Sequence, residues 1–143
     1  MCSSDLDRPL VVLLHGLTGC ETSMNMVRAA ACHLARGYSV LRLNLRGAGP
    51  SRTICRGDYH AGCSRDLADA LASLREQEPA LVARGLLLSG VSLGANAMIK
   101  FLAEFGSDLP IRAAASFSAP MALTYSCRSR ARGPAAPCPP VVR

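Results

Sequence analysis

The most chemically informative pattern in this chain is Gly90-Val91-Ser92-Leu93-Gly94, which directly follows an apolar run and precedes a helical pattern. A serine with glycines two positions away on both sides is typical of a sharp turn between a strand and a helix. Such a turn exposes the hydroxyl, which can then attack an acyl carbonyl as a nucleophile. We therefore predict that Ser92 is a catalytic nucleophile, and that Gly90 and Gly94 leave room for its turn.

Hydrophobic periodicity predicts the elements that must position this serine. A continuous apolar run, typical of a strand buried on both faces, predicts a strand at 10–14. Further apolar segments predict strands at 38–45, 86–89 and 113–118. Apolar residues at helical spacing predict helices at 24–36, 64–77 and 93–105. The alternation of strands and helices predicts an α/β fold, in which a parallel sheet of about four strands carries helices on both faces.

Local signals predict where the helices begin and end. Thr22 or Ser23 is a candidate N-cap for the first helix, and Gly37 is expected to end it. Ser64 is the expected N-cap of the second helix. Residues 51–63 are predicted to form an irregular connection.

A change in composition near residue 125 predicts two regions. Residues 1–124 form the predicted folded domain, and residues 125–143, rich in arginine and proline, are predicted to be a disordered tail. The net charge is +6, but four of the 16 basic residues and none of the 10 acidic residues fall in this tail, which leaves only +2 elsewhere. Without a basic stripe in the folded part, we predict no nucleic-acid partner.

The cysteine content and hydropathy favour a cytoplasmic protein. Seven scattered cysteines without a CxxC pair, in a chain with no secretory signal pattern, are expected to be reduced thiols. No apolar stretch reaches the roughly 18 residues that a membrane span requires. We expect no membrane-spanning helix, and the sequence leaves the oligomeric state open.

Several motifs in one order carry a resemblance to a known family, the α/β-hydrolase superfamily, and within it to the YheT-like branch of esterases and lipases. They lie between residues 9 and 125: His15-Gly16-Leu17-Thr18-Gly19, Asn44-Leu45-Arg46-Gly47-Ala48-Gly49, Tyr59-His60-Ala61-Gly62, Gly90-Val91-Ser92-Leu93-Gly94-Ala95-Asn96 and Phe117-Ser118-Ala119-Pro120. The resemblance implies a partial α/β-hydrolase fold, the central third to half of such an enzyme.

The resemblance also implies roles for individual residues. Ser92 is then the nucleophile, and the backbone N–H groups of Leu17 and Leu93 form the oxyanion hole. His15 and Gly16 support the oxyanion turn, with His15 hydrogen-bonding rather than acting as a base. The expected substrate is a small acyl ester, and no cofactor is implied.

One departure from the family separates two hypotheses. In this fold an acidic residue and then a histidine follow the serine, whereas here only Glu104 and Asp108 follow Ser92, and no histidine does. The first hypothesis is a serine hydrolase of the carboxylesterase or lipase type, truncated in this chain. The second is an inactive fragment or pseudoenzyme that retains the scaffold or an acyl-binding pocket.

Other candidate residues have plainer interpretations. His33 and His60 are expected to be structural, and a metal site built from Cys55, His60 and Cys63 is not expected because the spacing lacks paired ligands. Arg46 could form an ion pair or contact the pocket, and the sequence leaves both open. The turn at residues 47–49 is expected to line the pocket. Asn96 is expected to pack or hydrogen-bond rather than to catalyse.

Overall fold

The structure, a computed structural model, describes residues 7–122. Its elements are β1 (Leu10–Leu14), α1 (Met24–Leu34), β2 (Val40–Leu43), α2 (Ser64–Gln77), α3 (Pro79–Ala83), β3 (Leu86–Val91), α4 (Leu93–Phe105) and β4 (Ile111–Phe117). Two short 3-10 helices lie at Gly49–Thr53 and Gly106–Asp108. The predicted tail at 125–143, and the boundary at 124, fall outside the described residues.

The described strands form one parallel sheet in the order β2-β1-β3-β4. The α/β class, the four parallel strands and the helices on both faces are therefore confirmed. All four strands point the same way, so the turns that follow β1 and β3 meet at one edge of the sheet. The register pairs Leu14, the last residue of β1, with Gly90, which is one residue before the end of β3.

Two apolar layers sandwich the sheet. Helices α2, α3 and α4 cover one face, where the fully buried side chains include Leu67, Leu71, Met98 and Phe101. Helix α1 covers the other face of β1 and β2 through Met26 and Ala30. The alternation along β1 explains this arrangement, because successive side chains of a strand point to opposite faces and all five of its residues are buried.

The structure corrects several predicted boundaries. Helix α3 was not predicted, because five residues are too few to show a helical period; its proline stands in the first turn, where no N–H is needed. The expected irregular connection contains the 3-10 helix Gly49–Thr53. Strand β2 is shorter than predicted, and β3 extends to Val91. Strand β4 begins at Ile111, two residues earlier than predicted, and ends at Phe117, one residue earlier.

The helix termini follow the sequence signals in part. Helix α1 ends at Leu34, two residues before the predicted end, and Gly37 lies in the turn that follows it, with a φ of +78° and its N–H donating to the carbonyl of Leu34 at 2.9 Å. Ser23 is the N-cap of α1. The prediction for α2 is wrong: Cys63 precedes the helix and Ser64 is its first residue. The Ser64 hydroxyl instead donates to the carboxylate of Glu104 at 2.5 Å, since a carboxylate is the stronger acceptor.

Two further properties of residues 7–122 bear on the class of protein. The cysteines there (Cys20, Cys32, Cys55 and Cys63) are free thiols. None of the helices in this part of the chain combines the length and apolarity needed to cross a bilayer.

Two leucine substitutions test the assignment of the core. Leu67→Ala removes a fully buried side chain beneath the sheet and should cost about 2–5 kcal/mol of unfolding free energy. Leu34→Ala, at a helical position that is 58% exposed, should cost less than about 0.5 kcal/mol. Urea unfolding followed by circular dichroism measures both, and equal losses would contradict the two-layer core.

Candidate active site

Ser92 occupies a sharp turn between β3 and α4, with φ at 52° and ψ at −118°. Such a conformation costs a non-glycine residue about 1–3 kcal/mol, so the surroundings must hold it. The N–H of Ser92 donates to the carbonyl of Phe117 at 2.8 Å. Its own carbonyl accepts from the N–H groups of Ala95 and Asn96 at 3.1 and 3.2 Å. The turn is thus held by β4 on one side and by the first turn of α4 on the other.

The two glycines around Ser92 allow close backbone packing. A Cβ at Gly94 would lie 2.2 Å from the carbonyl oxygen of His15 and 3.0 Å from that of Leu14. A Cβ at Gly90 would lie 2.7 Å from the Cα of Ala95. Non-bonded atoms at these distances would overlap, so any side chain at Gly94 would push α4 away from the end of β1.

The turn after β1, residues 15–19, lies directly against Ser92. A Cβ at Gly16 would sit 3.2 Å from the Cβ of Ser92 and 3.9 Å from its Oγ. The N–H of Gly19 closes this turn by donating to the carbonyl of Gly16 at 3.1 Å. Thr18, at its tip, has a positive φ of 60°. The turn of residues 15–19 therefore lies beside the side chain of Ser92.

Two backbone donors beside Ser92 are unused. Within residues 7–122, the N–H groups of Leu17 and Leu93 donate to no protein acceptor. The first N–H groups of a helix lack intrahelical partners and carry a positive partial charge, and Leu93 begins α4.

His15 is fully buried, and its hydrogen bonds define its tautomer. The N–H of Leu45 donates to Nε2 at 3.1 Å. Nε2 therefore carries no proton, and Nδ1 donates to the carbonyl of Gly16 at 2.8 Å. With both ring nitrogens engaged, His15 has no free lone pair to take a proton from Ser92.

The other two histidines also serve local structure. His33 lies on α1 and its ring meets Tyr38 edge to face, with the ring centroids 6.1 Å apart. His60 accepts the N–H of Gly62 on Nδ1 at 3.0 Å. Neither side chain is among those that line the cleft at Ser92.

The acidic residues that follow Ser92 are engaged elsewhere. Glu104 accepts the hydroxyl of Ser64 and pairs with Lys100 at 3.0 Å. The hydrogen bond from Ser64, followed by that from Lys100, lowers the pKa of Glu104. Asp108 lies in the 3-10 helix after α4, and its backbone carbonyl accepts from Arg75 at 3.0 Å. Neither carboxyl group lines the cleft at Ser92.

A cleft of about 570 Å³ opens beside Ser92. Its described lining consists of nine residues: His15, Gly16, Leu17, Thr18, Gly19, Ser23, Asn25, Val91 and Ser92. Among the described residues, no aspartate, glutamate, lysine or arginine lines this cleft. Sequence reasoning did not single out the polar side chains of Thr18, Ser23 and Asn25, although their closeness to the His-Gly pair was a usable signal.

The turn at residues 47–49 does not line this cleft, so that prediction is wrong. The chain there enters the 3-10 helix Gly49–Thr53 and packs against the loop before α1. A Cβ at Gly49 would lie 2.7 Å from the Oε2 atom of Glu21. Asn96 forms a hydrogen bond as expected, because its Nδ2 donates to the carbonyl of Pro120 at 3.1 Å.

The structure resolves the two interpretations of Arg46 in favour of an ion pair. Its guanidinium contacts both carboxylate oxygens of Asp66, with Nε 2.7 Å from Oδ2. The hydrogen bond from Arg46 lowers the pKa of Asp66, and the same pairing raises the pKa of Arg46. The contact joins the end of β2 to the first turn of α2.

No group of three or more histidine, cysteine or acidic side chains within residues 7–122 is arranged to hold a metal ion. The sulfur of Cys63 instead accepts the backbone N–H of His60 at 3.3 Å.

The fold and the site together define a class of protein, a parallel α/β protein with a strained serine at a strand-to-helix turn. Residues 9–132 match the family model of the α/β hydrolase fold, and the chain belongs to that family. The resemblance found in the sequence is thereby confirmed.

Relatives of this chain are esterases. Medium-chain fatty acid ethyl ester synthase/esterase 2 of Saccharomyces cerevisiae is 33% identical over 124 residues, which are 85% of this chain and 27% of that protein. YheT of Escherichia coli is 29% identical over 116 residues, 81% of this chain and 33% of that protein. An esterase from Pyrococcus furiosus superposes with a TM-score of 0.74 at 24% identity, over 92% of this chain and 50% of that chain. The chain thus spans about a third or less of the length of these curated relatives.

A pair of glycine substitutions tests the close packing beneath the site. Gly94→Ala places a methyl group against the carbonyl of His15, and we expect a loss of about 1–3 kcal/mol in unfolding free energy. Gly106→Ala, at the other end of the same helix, is the control, since its nearest neighbours lie 3.6 Å or more away. Denaturant unfolding of both variants gives the comparison, and equal stabilities would refute the proposed constraint.

The Arg46–Asp66 pair predicts a pH dependence of stability. The folded-state pKa of Asp66 lies below its usual 3.8, so the pair stabilises the fold above about pH 3.8 and this contribution is lost as the pH falls through the folded pKa. Asp66→Asn should flatten the acid side of the curve of Tm against pH. Arg46→Gln removes the partner and should flatten it equally, whereas curves parallel to the wild type would contradict the pairing.

Proposed function

We propose that this chain carries the nucleophile and the oxyanion hole of a carboxylic ester hydrolase. Ser92 is the nucleophile, and the N–H groups of Leu17 and Leu93 bind the oxyanion. The observation that carries the proposal is the contact between a strained serine and a turn whose backbone donor is unused. Membership in the α/β hydrolase fold family supports it.

The proposed chemistry follows from this arrangement. The Oγ of Ser92 attacks the carbonyl carbon of an ester, its proton passes to a base, and the carbonyl oxygen becomes an oxyanion. Collapse of the tetrahedral species expels the alcohol and leaves an acyl-serine, which water then hydrolyses. Two fixed donors at the oxyanion matter greatly, since the loss of one such donor in other hydrolases costs about 3–4 kcal/mol of transition-state stabilisation.

The base in this scheme comes from outside residues 7–122. His15 lines the cleft, but both of its ring nitrogens are hydrogen-bonded to the backbone. His33 and His60 do not belong to the lining, and no histidine follows Ser92 among the 143 residues. The curated relatives, of which this chain spans a third or less, are much longer. We propose that a histidine and an acidic residue from another polypeptide segment complete the site.

We propose that the substrate is a neutral acyl ester. Among the described residues, the lining of the cleft holds no aspartate, glutamate, lysine or arginine, and it mixes polar and apolar groups. The Saccharomyces relative is named for medium-chain fatty acid ethyl esters, which is consistent with such a substrate. We further propose that the protein acts in the cytoplasm, on the basis of its scattered free thiols.

A second candidate function is an inactive scaffold that binds acyl groups without cleaving them. The engagement of both ring nitrogens of His15 favours it, because a serine hydroxyl without a base is a weak nucleophile at neutral pH. The two candidates share the cleft and differ in whether Ser92 can be acylated.

Chemical rescue by imidazole separates the candidates. General-base catalysis contributes about 10²–10⁴-fold, and we expect added imidazole to raise the Ser92-dependent hydrolysis of p-nitrophenyl butyrate at least about tenfold. Ser92→Ala should show only the reaction of imidazole in solution. Ser107→Ala, on an exposed turn, is the matched control and should behave as the wild type.

Mass spectrometry of the quenched reaction should find the acyl group on Ser92. Equal rates for the wild type and Ser92→Ala in imidazole, with no acyl adduct, would refute the hydrolase proposal and favour the acyl-binding scaffold.

A further inference from the structure

The carbonyl oxygen of Gly16 accepts three hydrogen bonds. Nδ1 of His15 donates at 2.8 Å and the N–H of Gly19 at 3.1 Å. The third donor is the hydroxyl of Tyr59, at 3.4 Å, from a residue 43 positions along the chain. Most carbonyl groups accept one or two bonds, so this peptide group is held unusually firmly.

This carbonyl belongs to the same peptide group as the N–H of Leu17. A trans peptide is planar, and its C=O and N–H bonds point in opposite directions. Donors that fix the carbonyl of Gly16 therefore also fix the direction of the N–H of Leu17. Hydrogen bonds to a carbonyl further polarise the N–H of the same peptide group and make it a stronger donor.

We propose that Tyr59 is a positioning residue for the oxyanion hole, acting through the carbonyl of Gly16 on the N–H of Leu17. This inference rests on the proposed function of Leu17. The side chain of Tyr59 needs no contact with substrate and is absent from the lining of the cleft. Its hydroxyl orients the N–H of Leu17, a residue that does line the cleft.

The packing around Tyr59 fixes the direction of its hydroxyl. Its ring meets the ring of His15 edge to face, with centroids 5.4 Å apart and planes at 89°. The ring also packs against the larger apolar layer of the core. Tyr59 and His15 therefore brace each other while both donate to the same carbonyl.

Helix α4 anchors the segment that carries Tyr59. Nζ of Lys100 donates to the carbonyl of Gly62 at 3.3 Å and to Oγ of Ser64 at 3.1 Å. Glu104, one turn further along, accepts the hydroxyl of Ser64. Since α4 begins at the Ser92 turn, one helix sets both the serine and the segment that aims the oxyanion donor.

Tyr59→Phe tests the proposal because it removes only the hydroxyl. Tyr38→Phe is the matched control, since Tyr38 also meets a histidine ring edge to face but, unlike Tyr59, its hydroxyl does not bond the turn of residues 15–19. The first measurement is the ¹⁵N resonance of the Leu17 amide. A hydrogen bond on the preceding carbonyl deshields this nitrogen, so we expect an upfield shift in Tyr59→Phe and none in Tyr38→Phe.

The second measurement is imidazole-supported ester hydrolysis. One weakened backbone donor should lower kcat about threefold to tenfold in Tyr59→Phe while leaving KM unchanged. If the role of Tyr59 were purely structural, Tyr59→Phe would change the thermal stability but would not lower kcat while leaving KM unchanged.

The outcomes separate this inference from the hydrolase proposal. An unchanged Leu17 resonance in Tyr59→Phe, with Ser92-dependent hydrolysis as in the wild type, overturns the role of Tyr59 and leaves the hydrolase proposal standing. A shifted Leu17 resonance, with no Ser92-dependent hydrolysis in the wild type, supports the contact of Tyr59 with the turn and overturns the proposed function.

Discussion

The site depends on the close approach of helix α4 to the end of strand β1. Gly94 allows the helix backbone to lie against the carbonyl groups of Leu14 and His15, at distances that no other residue would permit. This contact brings the Ser92 turn against the turn of residues 15–19. Without this contact, Ser92 would not lie beside the turn of residues 15–19.

His15 is the second structural constraint, and it limits what the described residues can do chemically. Its buried ring joins the end of β1 to the backbone of Leu45 after β2, and it holds the Gly16 carbonyl. Both nitrogens are occupied by these contacts. His15 therefore holds the turn of residues 15–19 in place, and it has no free lone pair to take a proton from Ser92.

Periodicity was sufficient for the strands and the long helices, because buried strands and amphipathic helices leave regular patterns of apolar residues. It missed α3, whose five residues hold little more than one turn, and it misjudged Ser64, whose hydroxyl bonds a carboxylate 40 positions away. Arg46 remained ambiguous for the same reason, since its partner Asp66 is distant in sequence. These interactions depend on contacts between segments, which no local pattern records.

By itself, the sequence determined the parallel α/β class, the order of the strands and long helices, and the glycine-flanked turn that carries Ser92. Each of these features depends on the types of residues that lie close together in the sequence. Only the tertiary structure decided the tautomer of His15, the unused N–H groups of Leu17 and Leu93, and the hydroxyl of Tyr59 on the Gly16 carbonyl. The physical reason is that a hydrogen bond depends on angles and distances between atoms whose residues are brought together by folding.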